Sequence, residues 1–194
     1  LARILGALYF INNIDDKDLV ARSRRSLIGN SVLFLVFFLS FVIRTLLADG
    51  YAVNPETGEV FMEPYKYLTN FIEMPLVLVL FLIGVVLVLF GIGKSLLKTK
   101  FDKGIWFTGI GTVLAVFALL LVAGYNNTAY YPSTNDLQSS LTLANSCSSQ
   151  FTLRVMFYVS FLVPFVLAYI FYAWRSIDIH KISEKEMKDG GHAY

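Results

Sequence analysis

Four apolar stretches limit what this chain can fold into. They occupy residues 27–48, 75–93, 105–124 and 155–174, and the second of them, PLVLVLFLIGVVLVLFGIG, contains no charged residue. Each lacks the polar face that a helix on the surface of a soluble protein would show. A bilayer core of roughly 30 Å is crossed by about 20 helical residues. The pattern therefore predicts four transmembrane helices, because a helix satisfies its own backbone hydrogen bonds in lipid.

The composition of the 194-residue chain agrees with a membrane protein. Hydrophobic residues make up 56% and charged residues 15% of it, whereas soluble domains average about 45 to 50% and about 25%. Cys147 is the single cysteine, so an internal disulfide and a cysteine-based metal motif are both excluded. The net charge of +2 gives no reason to expect a nucleic-acid partner.

The basic residues predict how the helices are oriented. Most of them fall in three intervals: Arg3, Lys17, Arg22, Arg24 and Arg25 before the first stretch, Lys94, Lys98, Lys100 and Lys103 between the second and third, and Arg175, Lys181, Lys185 and Lys188 after the fourth. Basic segments that flank membrane helices stay in the cytoplasm. We therefore expect both termini in the cytoplasm and the two long links, residues 49–74 and 125–154, on the opposite side.

The resulting fold prediction is an all-α integral membrane protein with four transmembrane helices in an antiparallel bundle. We assign residues 1–26 to the end of a preceding helix and a cytoplasmic segment, residues 27–174 to the bundle, and residues 175–194 to a cytoplasmic tail. The opening LARILGALYFINN is too short to cross a bilayer. We interpret it as the last part of a helix whose beginning is missing.

Several residues predict local features of the bundle. Gly84 and Gly91 lie seven residues apart on one helical face, and Gly111 with Ala115 forms a pair of small residues one turn apart. Small residues let helix backbones approach closely in a membrane. Pro164 lies inside the fourth stretch and predicts a kink, because it cannot donate to the carbonyl four residues earlier.

Two further patterns concern the helix ends. Trp106 and Trp174 fall at predicted inner ends, where amphipathic rings lie at the level of the lipid headgroups. The polar link contains PSTND at residues 132–136, which predicts a turn. Ser148 or Ser149 can cap the final helix. We expect this link to cover the outer end of the bundle.

The residue types needed for chemistry are scarce, and we expect no catalytic, cofactor-binding or metal-binding residue on this chain. His180 and His192 both lie in the tail, so no span offers an imidazole to a haem or a metal. Met74 and Met156 lie near outer helix ends and are conceivable haem ligands. Methionine in an apolar helix is more typically a packing residue.

Two ionisable residues near the outer helix ends leave alternatives open. Arg44 and Glu73 are predicted at similar depth on neighbouring helices, where they could form a functional ion pair. Alternatively, Arg44 extends to the interface and Glu73 lies among the headgroups. Asn126, Asn127 and Thr128 match the glycosylation pattern on the appropriate side, but the motif is short. We expect residues 15–25, DDKDLVARSRR, to form a solvated helix near the lipid surface.

Several short segments, in order along the chain, resemble a known family. They are DGY at residues 49–51, YLTNFIEMP at 67–75, NNTAYYPS at 126–133, SSQFTLRVM at 148–156, then Val163, Pro164 and Tyr169, and the closing residues 192–194. Together they resemble the C-terminal region of subunit II of the cytochrome bd quinol oxidases. The resemblance covers nearly the whole chain, and none of its motifs is catalytic.

The resemblance implies a respiratory complex in a bacterial or archaeal cytoplasmic membrane that oxidises quinol and reduces dioxygen to water. In that family haems b and d and the quinol-oxidising loop belong to subunit I, and subunit II is a haem-free partner. The implied partners are subunit I, membrane lipid and the quinone pool, and a bound quinone or lipid is left open. No functional residue of the family is carried over to this chain.

Two alternatives from other classes stay open. The chain could be a fragment of a secondary transporter, although transporters tend to carry broken helices and charges near mid-membrane. It could also be a quinone-binding or lipid-binding membrane module that uses an aromatic-lined groove beside Tyr158 and Tyr169.

Overall fold

A computed structural model describes residues 1–98, 101–177 and 182–183. Its helices are α1 (Ala2–Asn13), α2 (Lys17–Leu47), α3 (Lys66–Glu73), α4 (Pro75–Leu97), α5 (Gly104–Gly124), α6 (Gln150–Ser160) and α7 (Val163–Ile177), with a 3-10 turn at Leu137–Ser139. Its strands are β1 (Ile14–Asp15), β2 (Gly50–Val53), β3 (Val60–Glu63) and β4 (Ile182–Ser183). Strand β1 pairs with β4 in parallel, and β2 pairs with β3 as an antiparallel hairpin.

The four predicted membrane spans are confirmed. Helical stretches long and apolar enough to cross a bilayer run over Lys17–Leu47, Pro75–Leu97, Gly104–Gly124 and Gln150–Ser176. The first begins well before residue 27, because the Asp16 carboxylate caps the helix by accepting from the Leu19 amide at 2.7 Å. The charged segment before the span is therefore part of α2, and the predicted division between residues 26 and 27 falls inside this helix.

Helices α4 and α5 form the closest contact in the described chain. A Cβ on Gly84 would lie 2.6 Å from the Ala115 amide nitrogen, and one on Gly91 would lie 2.8 Å from the Gly104 carbonyl oxygen. Only glycine lets the two backbones approach this closely. The predicted contact through small residues is thus confirmed, and it extends over more than two turns of each helix.

The bundle also contains helix α1, in addition to the predicted residues 27–174. Helix α1 places Ile4, Leu8 and Ile11 in a buried cluster with residues of α2 and α4, including Leu27 and Ile92. Their spacing of four and three residues forms one apolar stripe. Helix α1 therefore packs with α2, α4 and α5.

The fourth span does not pack into the bundle as expected. In the described part of the chain, α6 and α7 up to residue 176 contain no buried residue. An all-round apolar helix gains little by leaving lipid for another apolar helix, so nothing in its composition forces it against its neighbours. Its side chains are therefore available to lipid or to another polypeptide.

The predicted kink in the fourth span is confirmed as a break between α6 and α7. The amides of Phe161 and Leu162 donate to the carbonyls of Tyr158 and Val159 at 3.2 and 2.9 Å, three residues back instead of four. Pro164 follows in the first turn of α7, where a missing amide proton costs least. The predicted tail, residues 175–194, lies mostly outside the described residues.

The tight contact at Gly91 yields a direct stability prediction. Gly91→Ala places a methyl group against the backbone of α5, so we expect it to destabilise the protein by about 1 to 3 kcal/mol. Gly93→Ala is the matched control, because nothing lies within 4 Å of its added Cβ. Thermal unfolding in detergent should show a lower Tm for Gly91→Ala and an equal or higher Tm for Gly93→Ala. Equal Tm values for Gly91→Ala and the wild type would contradict the contact.

Candidate functional site

A polar cluster, buried at Asn70 and Thr128, closes one end of the bundle, where α3 leads into α4 and α5 ends. We call Asn70, Glu73, Asn126 and Thr128 the polar cap. The Asn70 side chain is 0% exposed, and its amide nitrogen donates to the Val122 carbonyl at 2.9 Å and to the Thr128 hydroxyl at 2.8 Å. Because the last carbonyls of a helix lack intrahelical partners, Asn70 satisfies one of those at the end of α5.

Asn126 completes the polar cap from an unusual backbone conformation. Its φ is 57°, a left-handed value that asparagine tolerates better than most residues. In this conformation its side-chain amide donates to the side-chain oxygen Oδ1 of Asn70 at 3.1 Å and to the Glu73 carboxylate. Thr128 is 2% exposed and donates to the Asn126 carbonyl at 3.2 Å. The glycosylation motif is therefore engaged in packing, which leaves its asparagine unsuited as an acceptor.

The β2–β3 hairpin and the long link, residues 125–154, are hydrogen-bonded to each other beside the polar cap. The Val53 amide donates to the Asn127 carbonyl at 2.8 Å, and the Ala129 amide donates to the Tyr51 carbonyl at 2.9 Å. The Gln138 side chain exchanges two further hydrogen bonds with the backbone of Val60, at 2.9 and 2.8 Å. As predicted, the link covers an end of the bundle.

The charged and phenolic groups beside the polar cap are also engaged. Lys66 is buried and its ammonium lies 3.2 Å from the Glu63 carboxylate. Burial raises the pKa of the Tyr67 phenol above its ordinary value of 10.0, and the nearby Tyr51 raises it further. A phenol with a raised pKa stays protonated at neutral pH, so Tyr67 packs there as a neutral group.

The opposite end of the bundle is closed by Arg24 of α2. Its guanidinium donates to the carbonyls of Ser95, Lys98 and Phe101, the last two at 3.3 Å. A cation is favourable at the C-terminal end of a helix, and here it binds the end of α4. The prediction that this segment is solvated is therefore wrong for Arg24, which connects α2 to the α4–α5 link through these hydrogen bonds.

The other residues singled out from the sequence do not converge on a site. Arg44 and Glu73 form no ion pair in the described part of the chain, since Glu73 accepts from Asn126 instead. Met74 packs in the cluster around Phe71, whereas Met156 is 64% exposed on α6. Tyr158 and Tyr169 are both exposed, and His180 and His192 lie outside the described residues.

Two grooves run along the apolar part of the bundle. The first, of about 230 Å³, lies between α2 and the α4–α5 pair and is lined by Phe34, Phe38, Val88 and Leu119 among others. The second, of about 450 Å³, is lined by Gly6, Tyr9, Phe10, Trp106 and Trp174. We call it the aromatic groove. It brings the two predicted interface tryptophans together at one end of α1.

The chemistry of these sites is limited. Among the described residues no group of three or more His, Cys, Asp and Glu side chains could hold a metal ion. The polar groups at the two ends bind helix-terminal carbonyls and each other. Sequence reasoning missed Asn70 and Asn126 as partners, although both lie in segments that carry the family resemblance, 67–75 and 126–133.

The polar cap predicts that Asn70 cannot be replaced by an apolar residue. Asn70→Leu leaves the Val122 carbonyl without its donor, which we expect to cost about 1 to 3 kcal/mol of stability. Asn135→Leu is the control, because Asn135 is exposed and lies outside the cap. Chemical unfolding followed by tyrosine and tryptophan fluorescence measures both variants. An Asn70→Leu protein as stable as the wild type would contradict the role of Asn70.

Comparison with known proteins identifies the group to which the chain belongs. The family model described as cytochrome bd terminal oxidase subunit II matches residues 1–177. The chain is 32% identical over 136 residues to the cytochrome bd-I ubiquinol oxidase subunit 2 of Escherichia coli strain K12. The aligned region covers 69% of this chain and 34% of that protein. The proteins of the same name from strains O6:H1 and O157:H7 match to the same extent.

The chain spans about a third of the length of the curated relatives it matches. The family match itself extends from α1 through α7, over nearly all described residues. It therefore includes the polar cap, the Arg24 contact and the exposed fourth span. This chain belongs to the family of cytochrome bd terminal oxidase subunit II.

Proposed function

We propose that this chain is part of the haem-free subunit II of a cytochrome bd quinol:oxygen oxidoreductase. In this role it supports a haem-bearing subunit I, which oxidises quinol and reduces dioxygen to water. The observation that carries the proposal is the family match over residues 1–177. The polar residues at both ends of the bundle have a structural use that is compatible with this role, because Asn70 and Arg24 bind helix-end carbonyls.

The proposed orientation places the polar cap outside the cytoplasm. Arg24 and Lys94 lie at the opposite end of the bundle, near the start of α5, and basic residues favour the cytoplasmic side. Along the α4–α5 contact, Gly84 lies beside Ala115 and Gly91 beside Gly104. That order supports an antiparallel pair. We propose the bacterial cytoplasmic membrane as the location, with both termini inside.

Among the alternatives, the transporter is not supported, because the family match points to an oxidase subunit. A quinone-binding or lipid-binding role has one observation in its favour. The groove between α2 and the α4–α5 pair is about 230 Å³ in volume and, apart from Thr112, is lined by apolar residues, which suits an acyl chain or an isoprenoid tail. We propose that any quinone or lipid held by this chain lies there.

The proposed function predicts where haem absorbance is found. The full-length protein purified with its neighbours should show haem bands in the visible spectrum, and these bands should be lost when a second subunit is removed. The physical reason is that the described chain offers no axial ligand pair at one site. A stable, haem-free protein that purifies alone and moves a solute across vesicles would contradict the proposal.

A further inference from the structure

The α4–α5 contact encloses two hydroxyl groups. Four residue pairs meet along this contact, and we call them the glycine seam: Gly84 with Ala115, Val88 with Gly111, Gly91 with Thr108 and Ser95 with Gly104. The first two pairs carry no polar side chain. Each of the last two pairs places a hydroxyl-bearing residue opposite a glycine. The polar half of the seam therefore lies at the end where α4 stops and α5 begins.

Ser95 and Thr108 occupy matching positions on the two helices. Ser95 follows Gly91 by four residues on α4, and Thr108 follows Gly104 by four residues on α5. A Cβ added to Gly104 would overlap the Ser95 Oγ atom, and one added to Gly91 would overlap the Thr108 Oγ1 atom. Each hydroxyl oxygen is therefore aimed into the seam, against the backbone of the facing helix.

Both hydroxyl groups are buried and make no hydrogen bond to any described residue. Ser95 and Thr108 are each 0% exposed, and helices of this chain alone enclose them. A hydroxyl oxygen above a glycine can accept a weak hydrogen bond from the Cα–H group, but its own proton still requires an acceptor. A buried donor without an acceptor is costly, so each of these two groups needs a partner.

Other hydroxyl groups inside the helices of this chain are paired within their own helix. Ser40, Thr45 and Thr112 each donate to the carbonyl four residues earlier, at 2.8, 2.9 and 2.7 Å. Thr112 lies only one turn from Thr108. The side chains of Ser95 and Thr108 differ because they lie over glycines of a second helix and make no bond to their own.

The surroundings of the two hydroxyl groups select a small neutral ligand. The Arg24 guanidinium donates to the Ser95 carbonyl, and this positive charge disfavours a cation. The carbonyl oxygens of Gly91 and Gly104 face the seam, each 2.8 Å from the Cβ position of the other glycine, and these acceptors disfavour an anion. Water suits the site, since it can accept from a hydroxyl and donate to a carbonyl.

We propose that the glycine seam binds ordered water at Ser95 and at Thr108. Each water accepts the hydroxyl proton and donates to a seam carbonyl, which supplies the polar partners that a buried water requires. Both hydroxyl groups lie within one turn of space for a ligand. Lys98, three residues after Ser95, is exposed, and Thr112, four residues after Thr108, lines the groove of about 230 Å³. The water therefore lies at the margins of the seam, beside the glycines.

The first test locates the water in the complete complex. An electron cryomicroscopy map at a resolution that shows ordered water should contain water density within hydrogen-bonding distance of each of the two hydroxyl oxygens. A map in which either hydroxyl donates directly to a carbonyl or to another side chain, with no water beside it, would overturn the proposal.

The second test uses the sign of a stability change. Thr108→Val keeps the shape of the side chain and removes its hydroxyl. If water is bound, the variant deprives that water of a partner, and the Tm of the purified complex should fall by about 2 to 4 °C. If the hydroxyl is unpaired, the same substitution removes an unsatisfied buried donor and the Tm should rise. An unchanged or higher Tm therefore contradicts bound water.

Thr112→Val is the matched control, because the Thr112 hydroxyl bonds to the Thr108 carbonyl within one helix. Its Tm should fall by less than the Tm of Thr108→Val. A fall of the same size in both variants would indicate an ordinary bond within α5 at Thr108, and the proposal would then be wrong. A seam without water would leave the proposed oxidase role untouched, since this chain alone encloses both hydroxyl groups.

Discussion

The close contact between α4 and α5 is the constraint on which the rest of the described structure depends. Gly84 and Gly91 bring the α4 backbone against Ala115, Thr108 and Gly104 of α5. In lipid there is little hydrophobic gain from bringing helices together, so dispersion between closely packed backbones supplies much of the attraction. Both polar contacts at the helix ends presuppose this pair, since Asn70 reaches the end of α5 and Arg24 reaches the end of α4.

The polar side chains at the two ends of the bundle bind helix-terminal carbonyls and each other. The helix-terminal carbonyls bound by Asn70 and Arg24 would otherwise lack partners at the edge of an apolar medium, where an unsatisfied polar group is costly. The polar cap joins two segments that are far apart in sequence, residues 70–73 and 122–128.

Much of the fold could be predicted from the sequence because lipid imposes a simple length and composition rule. The four spans, the close glycine contact and the break near Pro164 all follow from local patterns. Which helices pack against each span does not follow from local patterns. Helix α1 is short, yet its apolar stripe packs into the bundle, and the long apolar fourth span contains no buried residue in the described chain. The pairing of Asn70 with Asn126 arises from tertiary contacts that no local pattern encodes.

We propose that this chain supports a haem subunit without binding haem itself. An electron cryomicroscopy map of the complete complex tests it most directly, because the density shows the axial ligands of every haem iron. We predict that all of these ligands come from the other subunit. An axial ligand supplied by Met74, Met156, His180 or His192 of this chain would contradict the claim.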